Sequence, residues 1–204
     1  MTQKRVSRET LDKLNVFQAM LVKWNRTINL VSPKTIPNLW ERHIEDSLEI
    51  VFSIPNPKGL WVDLGSGGGF PGLIAAIASA DLPDIESFAL IESDQRKCAF
   101  LRAVIRELDL PANVISQRID DAPPQNADIV SARALAPLTD LLGYALRHGR
   151  PSAQFLFPKG VTWNAEITDA QSAFEFDLEV VPSVTQEGSV ILVIQGATRV
   201  KDRL

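Results

Sequence analysis

From residue 59 onward, short β-rich runs alternate with stretches that have helical spacing. This alternation is typical of a parallel sheet covered by helices. Seven runs are expected to form strands, and they span residues 60–64, 87–91, 113–117, 128–131, 153–157, 178–181 and 189–194. Four stretches are expected to form helices, and they span residues 71–80, 94–108, 137–148 and 163–174. The sequence therefore predicts an α/β fold of the Rossmann-like type.

Only residues 182–188 separate the last two predicted strands. A crossover between parallel strands needs about a dozen residues or more, so these two strands must be antiparallel. A seven-stranded, mainly parallel sheet with an antiparallel C-terminal hairpin is the arrangement that we associate with class I methyltransferases, whereas nicotinamide-binding Rossmann folds are usually wholly parallel. Because one fold hosts many activities, this topology raises an expectation and does not decide the function.

Residues 1–58 have a different pattern and are predicted to form two amphipathic helices. The first begins near Ser7 or Thr10, either of which could cap it, because a hydroxyl can accept a hydrogen bond from a free N–H of the first turn. The second spans residues 36–50, after a polar connection that contains proline. We predict that residues 1–58 form a helical subdomain packed on a cofactor-binding domain, residues 59–204.

The composition argues against several classes of protein. One cysteine excludes an intramolecular disulfide, and one cysteine with two histidines is too few for a Cys-rich or His-rich metal site. No apolar run approaches the roughly 20 residues of a membrane-spanning helix, and the N-terminus has no signal-peptide pattern. We therefore expect a cytoplasmic protein, monomeric by default, with no metal and no membrane partner.

Charge is distributed unevenly along the chain. The formal net charge of −4 argues against nucleic-acid binding, which usually needs a basic surface. Residues 1–60, however, carry nine Lys and Arg against six Asp and Glu, while the remainder carries twelve against nineteen. A basic N-terminal part on an acidic body can still bind RNA, although a solvated surface without a partner explains the same counts equally well.

The glycine-rich turn, residues 63–72, follows the first predicted strand. Its last six residues satisfy the G-x-G-x-x-G pattern of dinucleotide-binding folds, which alone is a weak signal. Gly65 and Gly67 let the backbone bend sharply and approach a ligand closely. The carboxylate of Asp63 would repel a pyrophosphate but attract the ammonium and sulfonium groups of S-adenosylmethionine. These three residues are therefore predicted to bind S-adenosylmethionine, with a helix-capping aspartate in an ordinary tight turn as the structural alternative.

Two further acids follow the second and third predicted strands. Glu92 ends the second strand, where a carboxylate can accept hydrogen bonds from both ribose hydroxyls of either cofactor. Asp120 lies just past the third strand, where it could accept a hydrogen bond from the adenine amino group while Ile119 packs on the ring. Each acid alone is more often a solvated loop residue, but three acids after three successive strands indicate one nucleotide-binding edge.

Four segments closely resemble the RsmG (GidB) family of bacterial guanine-N7 methyltransferases of small-subunit rRNA, and they are Trp24–Leu30, Trp40–Leu48, Asp63–Gly72 and Ser131–Ala134. Many methyltransferases share the glycine-rich turn, whereas the two N-terminal segments are specific to this family. The family often has an aspartate where this chain has Glu92, so the carboxylate is kept. The resemblance implies S-adenosylmethionine as cofactor. As substrate it implies a guanine in the conserved decoding-region loop of 16S rRNA, within the small ribosomal subunit or its precursor.

The resemblance also implies roles for individual residues. Gly65 and Phe70 would line the cofactor pocket, and Ile119 and Asp120 would hold the adenine. Arg133, after the fourth strand, would reach the cofactor or the target base. Guanine N7 has an in-plane lone pair and needs no deprotonation, so no catalytic general base is expected. Arg133 is instead the candidate for orienting the substrate or the cofactor carboxylate, with a structural ion pair as the alternative.

Five residues are candidates for RNA contact: Asn29, Lys34, Arg42, His43 and Lys159. Three of them belong to the family-like N-terminal segments, and the two lysines fall in predicted loops near the same sheet edge. A lone histidine is more often a packed or capping residue, which is the alternative for His43. Two other functions stay open: a nicotinamide-dependent oxidoreductase, favoured by the glycine pattern and Glu92, and a non-catalytic module that associates with the ribosome.

Overall fold

The computed structural model describes residues 6–200; the outer ends of both predicted units, residues 1–5 and 201–204, lie outside the described residues. The α-helices are α1 (Arg8–Trp24), α2 (Asp46–Val51), α3 (Gly72–Ile77), α4 (Gln95–Glu107), α5 (Leu138–His148) and α6 (Trp163–Gln171). Shorter turns are the 3₁₀ helices Pro33–Asn38 and Ala78–Asp81 and the π-helical turn Trp40–Glu45. The strands are β1 (Gly59–Leu64), β2 (Ile85–Ile91), β3 (Ala112–Ile115), β4 (Ala127–Ser131), β5 (Gly149–Lys159), β6 (Phe174–Pro182) and β7 (Val190–Arg199). Within residues 6–200, no helix has the length and apolar character that crossing a membrane requires.

The seven strands form one sheet in the order β3-β2-β1-β4-β5-β7-β6. Neighbours from β3 to β5 are parallel, whereas β7 runs antiparallel to both β5 and β6. The predicted mainly parallel sheet with an antiparallel C-terminal pair is confirmed. The strand order reverses at β1 and β4, and ligands of open α/β sheets bind outside the carboxyl ends of the strands at such a reversal.

Side chains alternate across the sheet and divide the core into two layers. In β1, Trp61 packs with the layer that holds apolar residues of α1 to α4, while Val62 packs with α5 and α6. In β2, Phe88 and Ala89 repeat this alternation. Strands covered on both faces carry apolar side chains at successive positions, which is why these segments appear in the sequence as short continuous apolar runs.

The N-terminal helices belong to the first of these layers. Ser7 caps α1, because its Oγ accepts a hydrogen bond from Thr10 N at 3.2 Å. Of the two predicted caps, Ser7 and Thr10, the structure has the first. Phe17 of α1 packs edge-on against Phe70 with ring centroids 5.6 Å apart, and it lies 6.2 Å from the ring of Phe100 in α4. The N-terminal region therefore shares one core with the sheet. The boundary between a helical subdomain, residues 1–58, and a cofactor-binding domain, residues 59–204, stays a prediction.

Two predicted helices differ from the structure. The helix predicted over residues 36–50 is instead a 3₁₀ helix, a π-helical turn and α2. The helical stretch already begins at Pro33, so Pro37 lies inside it, where its missing N–H interrupts an α-helical ladder. The helix predicted to reach Phe174 ends at Gln171, and Phe174 begins β6. Burial alternates along β6 with a period of two, and this is the pattern of a strand.

Candidate active site

Two adjoining cavities lie at the carboxyl ends of the parallel strands. The smaller cavity, about 440 Å³, is bordered by the glycine-rich turn and by the residues after β2 and β3. The larger cavity, about 870 Å³, is bordered by the π-helical turn, the end of β5 and the β6–β7 loop, residues 183–189. Both volumes are in the range of roughly 300–1,000 Å³ that small-molecule sites occupy. Residues 133–136, which follow β4, line both cavities and are therefore where two bound ligands would meet.

The glycine-rich turn presents backbone rather than side chains to the smaller cavity. Gly65 and Gly67 line it with φ of +64° and +54°, a left-handed conformation that residues with a Cβ rarely adopt. A Cβ on Gly65 would lie 2.7 Å from Leu135 Cδ1, on the segment that both cavities share. Glycine at these positions keeps the space beside the turn open, as the sequence predicts for a ligand-binding turn.

Glu92 fixes the conformation of this turn and lines the smaller cavity. Its Oε2 accepts a hydrogen bond from Gly67 N, and its Oε1 accepts one from Asp94 N, each at 2.8 Å. Each carboxylate oxygen has a further lone pair. Glu92 can therefore hold the turn and still accept hydrogen bonds from the hydroxyl groups of a ligand.

We expect Glu92→Gln to weaken S-adenosylmethionine binding about tenfold. Both carboxylate oxygens accept from backbone N–H groups, so one of these donors would face the amide NH₂, and the free turn would shift to avoid it. Restoring the binding conformation would then cost about 1–3 kcal/mol. Isothermal titration calorimetry measures the Kd. Glu86→Gln, at an exposed position of the same strand, is the control. Equal affinity in the two variants would contradict this role of Glu92.

Asp63 lies beneath the smaller cavity rather than on its wall, and it is 1% exposed. Its Oδ1 accepts a hydrogen bond from Ser131 Oγ at 2.6 Å, and that hydroxyl accepts one from Trp61 Nε1 at 2.9 Å. Asp63 Oδ2 is buried and accepts no hydrogen bond of standard geometry within residues 6–200. Burial raises the pKa of Asp63 from 3.8 to about 6, against the opposing effects of Ser131, of Ser66 and of the backbone N–H of Gly72. An incompletely satisfied buried carboxylate suits a cationic ligand, such as one with ammonium and sulfonium groups.

The side chain of Asp63 also occupies the beginning of α3. A Cβ on Gly72, the first residue of that helix, would lie 2.3 Å from Asp63 Cβ and 2.8 Å from Asp63 Oδ2. In dinucleotide-binding folds, the pyrophosphate sits at this helix N-terminus. A carboxylate already in that place disfavours the nicotinamide alternative and agrees with a cofactor that has no phosphate.

We expect Asp63→Asn to stabilise the free protein at pH 8. Because the pKa of Asp63 is raised in the folded state, its contribution to stability is fully present below about pH 4 and is lost as pH rises through about 6. A neutral amide avoids this loss, so the free energy of unfolding at pH 8 should rise by on the order of 1–3 kcal/mol. Urea unfolding of the wild type and the variant from pH 5 to 8 measures the difference in their free energies of unfolding. A variant with the wild-type pH slope would show that Asp63 is not the group that titrates.

The predicted adenine contacts lie on the loop after β3. Ile119 is half-buried, Asp120 is exposed, and both line the smaller cavity. The carbonyl of Ile119 accepts a hydrogen bond from His148 Nε2 at 2.9 Å, and burial lowers the pKa of His148. A neutral His148 therefore holds this loop in place from the end of α5.

Arg133 lies on the segment that both cavities share, and its guanidinium contacts three side chains. Nη1 donates to Asp46 Oδ2 and Nη2 donates to His43 Nδ1, each at 3.0 Å. The guanidinium carbon lies 4.8 Å from the ring centroid of Phe70. An arginine has five N–H donors, so three of them stay available for ligands in the two cavities.

Two predicted contact residues are thus partners of Arg133. Phe70 is 5% exposed and packs against Arg133 and His43 rather than lining the smaller cavity. His43 lines the larger cavity, but its Nε2 donates to Thr35 Oγ1 at 2.8 Å, so both ring nitrogens have partners within the protein. Burial, together with the charge of Arg133, lowers the pKa of His43 to about 4, so the ring is neutral and accepts from Arg133.

The other RNA-contact candidates of the N-terminal region are exposed. Asn29 follows α1, in a loop that Asn25 shapes by accepting hydrogen bonds from Leu30 N and Val31 N at 2.9 and 3.0 Å. Lys34 lies in the first 3₁₀ helix. Arg42 lies in the π-helical turn and lines the larger cavity. These side chains are free to meet a partner in solution.

Lys159 does not have the loop position that the sequence predicts. It is the last residue of β5, and its side chain is 8% exposed. Its Nζ donates to Glu166 Oε2 at 2.7 Å and to Ala136 O at 3.0 Å. Lys159 therefore holds the segment between the two cavities, an arrangement that does not favour the predicted RNA contact.

Two polar residues of the site are missed by sequence reasoning. Asp46 is three residues from His43, a spacing that places both on one side of a helical turn and that the sequence contains. Ser131 pairs with Asp63 in the register of β4 and β1. Its role becomes visible only when these two strands are known to be neighbours.

Solved structures show which fold this is. A structure of an S-adenosylmethionine-dependent methyltransferase from Aquifex aeolicus aligns with a TM-score of 0.58 at 13% identity, over 78% of this chain and 92% of that one. A methyltransferase from Geobacter sulfurreducens aligns with a TM-score of 0.55 at 16% identity, over 90% of this chain and 88% of that one. The chain has the fold of these methyltransferases.

Sequence comparison gives the family. A family model described as rRNA small subunit methyltransferase G matches residues 10–192. The "Ribosomal RNA small subunit methyltransferase G" of Ruegeria pomeroyi is 50% identical over 196 residues, which is 96% of this chain and 95% of that protein. The protein of the same name from Ruegeria sp. is 49% identical over 195 residues, with the same coverage of 96% and 95%. The chain belongs to the rRNA small subunit methyltransferase G family.

Proposed function

We propose that this protein transfers a methyl group from S-adenosylmethionine to N7 of a guanine in the conserved decoding-region loop of 16S rRNA. The observation that carries the proposal is the pair of cavities that share residues 133–136, one suited to the cofactor and one open to a nucleobase. Membership of the rRNA small subunit methyltransferase G family supports the rRNA substrate. The protein acts as a monomer on the small ribosomal subunit or its precursor.

The residues around the smaller cavity fit S-adenosylmethionine. Glu92 would accept hydrogen bonds from the ribose hydroxyls, and Ile119 and Asp120 would hold the adenine. Gly65 and Gly67 leave room for close approach to the backbone. The buried carboxylate of Asp63 beneath them supplies the negative potential that a cationic cofactor needs.

The reaction requires alignment rather than proton transfer. When bound, S-adenosylmethionine supplies a methyl group on a sulfonium; guanine N7 takes the methyl with its lone pair, which leaves a neutral thioether and a cationic 7-methylguanine. The chain holds the base and excludes water, an effect that can contribute up to roughly 7–11 kcal/mol. The lone pair of His43 Nδ1 accepts from Arg133 and is not available as a base. Arg133 can direct its other donors to O6 of the guanine or to the carboxylate of the cofactor.

RNA would reach the larger cavity from the N-terminal side of the molecule. Arg42 lines this cavity and is exposed, and Lys34 and Asn29 are exposed on the preceding segments. Residues 1–60 carry the excess of positive charge, nine Lys and Arg against six Asp and Glu. Phosphate contacts need such cations, so we place the RNA-binding surface here and not on the acidic remainder.

Analysis of cellular rRNA tests the proposal. 16S rRNA from a strain that lacks this protein should be short of one 7-methylguanosine, and a plasmid that carries the chain should restore it. Nucleoside digestion and mass spectrometry measure this difference. If the nucleoside content is the same with and without the plasmid, the proposed activity is contradicted.

Two binding measurements separate the alternative functions. Protection from heat unfolding by NAD, and not by S-adenosylmethionine, would select the oxidoreductase. Binding to the small subunit without methyl transfer at any cofactor concentration would select the non-catalytic module. We expect protection by S-adenosylmethionine alone, because the carboxylate of Asp63 at the beginning of α3 would repel a pyrophosphate.

A further inference from the structure

Asp46, the first residue of α2, bridges two parts of the larger cavity. Its Oδ2 accepts a hydrogen bond from Arg133 Nη1, and its Oδ1 accepts one from Thr185 Oγ1 on the β6–β7 loop, each at 3.0 Å. The side chains of Asp46 and Arg133 are 22% and 17% exposed. Water therefore screens the attraction between these two charges only in part.

A carboxylate beside Arg133 matters because of where charge develops in the proposed reaction. The acceptor guanine changes from neutral to cationic, and an uncompensated guanidinium next to it would oppose that change. His43, the other hydrogen-bond partner of Arg133, is neutral, so it does not offset the positive charge of the guanidinium. Asp63 also acts on the charge of Arg133, but it lies buried beneath the smaller cavity. Asp46 is the acid that neutralises Arg133 on the side of the larger cavity.

We propose that Asp46 is a positioning residue that neutralises Arg133 and fixes its direction, so that Arg133 can donate hydrogen bonds to a guanine that becomes a cation. This inference rests on the proposed function. We expect Asp46 to affect the rate of methyl transfer, because it contacts neither the glycine-rich turn nor the loop that would hold the adenine. RNA docking and cofactor affinity should depend on it little.

Asp46→Asn tests this inference on small ribosomal subunits that lack the modification. The amide keeps the shape of the side chain but leaves the positive charge of Arg133 uncompensated. We expect the single-turnover rate constant for methyl transfer to fall about 30-fold or more. The KM for the particle and the Kd for S-adenosylmethionine should change by less than about threefold. Asp46→Glu, which keeps the charge, should recover most of the lost rate.

Two variants separate the charge of Asp46 from its contact with the loop. Glu49 holds the same loop, since its carboxylate accepts hydrogen bonds from Val184 N and from Ser183 Oγ at 2.9 Å. Thr185 Oγ1 lies 3.1 Å from Glu49 Oε2, but its one hydrogen can be donated either to Glu49 or to Asp46. Glu49→Gln loosens this anchor without touching Arg133. Thr185→Val removes the loop's bond to Asp46 but leaves the ion pair. Both variants should lose at least about tenfold less rate than Asp46→Asn, because both keep the ion pair between Asp46 and Arg133.

The outcomes distinguish this inference from the proposed function. A wild-type protein that transfers no methyl group refutes the proposed function, and the inference with it. An active wild type with an equally active Asp46→Asn variant overturns the inference alone. Equal losses in Asp46→Asn and Glu49→Gln overturn it as well, because the loop would then carry the effect. Thermal unfolding shows whether each variant is folded. If Asp46→Asn does not fold, Asp46→Ser takes its place.

Discussion

Arg133→Ala should reduce the rate of methyl transfer about 100-fold or more. The guanidinium lies on the segment that lines both cavities, and three of its five N–H donors are not bonded within the site. Arg133 acts by positioning, and a misplacement of the reacting groups by about 1 Å can cost about 10²-fold in rate. The substitution also leaves the carboxylate of Asp46 without its cation. Single-turnover methyl transfer to small ribosomal subunits measures the change.

Arg133→Lys is the matched variant for this experiment. A lysine keeps the charge but cannot donate to Asp46 and His43 in the fixed geometry of a guanidinium. We therefore expect an intermediate loss, with little change in the melting temperature. If Arg133→Ala kept the wild-type rate and unchanged affinity for both cofactor and particle, the orienting role of Arg133 would be refuted. The ion pair between Arg133 and Asp46 would then have only a structural role.

Gly72→Ala should destabilise the protein and weaken cofactor binding together. The new Cβ would lie 2.3 Å from Asp63 Cβ and 2.7 Å from Asp63 Cγ, so α3 and β1 have to move apart. Overpacking of this kind costs about 1–3 kcal/mol, which lowers the melting temperature by roughly 3–10 °C in a chain of this size. The glycine-rich turn joins these two elements, so we also expect the Kd for S-adenosylmethionine to rise at least about tenfold.

Gly160→Ala is the control, because a Cβ at this exposed position meets no atom within 4 Å. Its free energy of unfolding should stay within about 0.5 kcal/mol of the wild type. Calorimetric melting and titration with S-adenosylmethionine measure both properties in each variant. A Gly72→Ala variant as stable as Gly160→Ala would contradict the tight contact between α3 and Asp63.

The sequence predicts those parts of the fold that depend on local patterns. The antiparallel pairing of β6 and β7 follows from the short connection between them, because no crossover helix fits. Gly65, Gly67 and Glu92 border one cavity, because each follows a strand and the carboxyl ends of parallel strands meet at one edge. Their binding of the cofactor stays a prediction. The turns around Pro37 are not predictable in this way, since a π-helical turn has no period of its own in the sequence.

The partners of individual side chains are much harder to predict. Arg133 and Asp46 are 87 residues apart in the chain, and Ser131 and Asp63 are 68 residues apart. Such pairs depend on which strands and helices become neighbours, and one sequence contains no signal for that. A basic side chain therefore looks like a candidate for RNA contact whether it is exposed, as Arg42 is, or buried against Glu166 as Lys159 is.

The most direct measurement is methyl transfer by the purified protein. Radiolabelled S-adenosylmethionine is incubated with the protein and with small ribosomal subunits from a strain that lacks it, and the 16S rRNA is digested to nucleosides. We predict that the label is recovered as 7-methylguanosine. Label in another nucleoside, or no label despite measured cofactor binding, would contradict the proposed function.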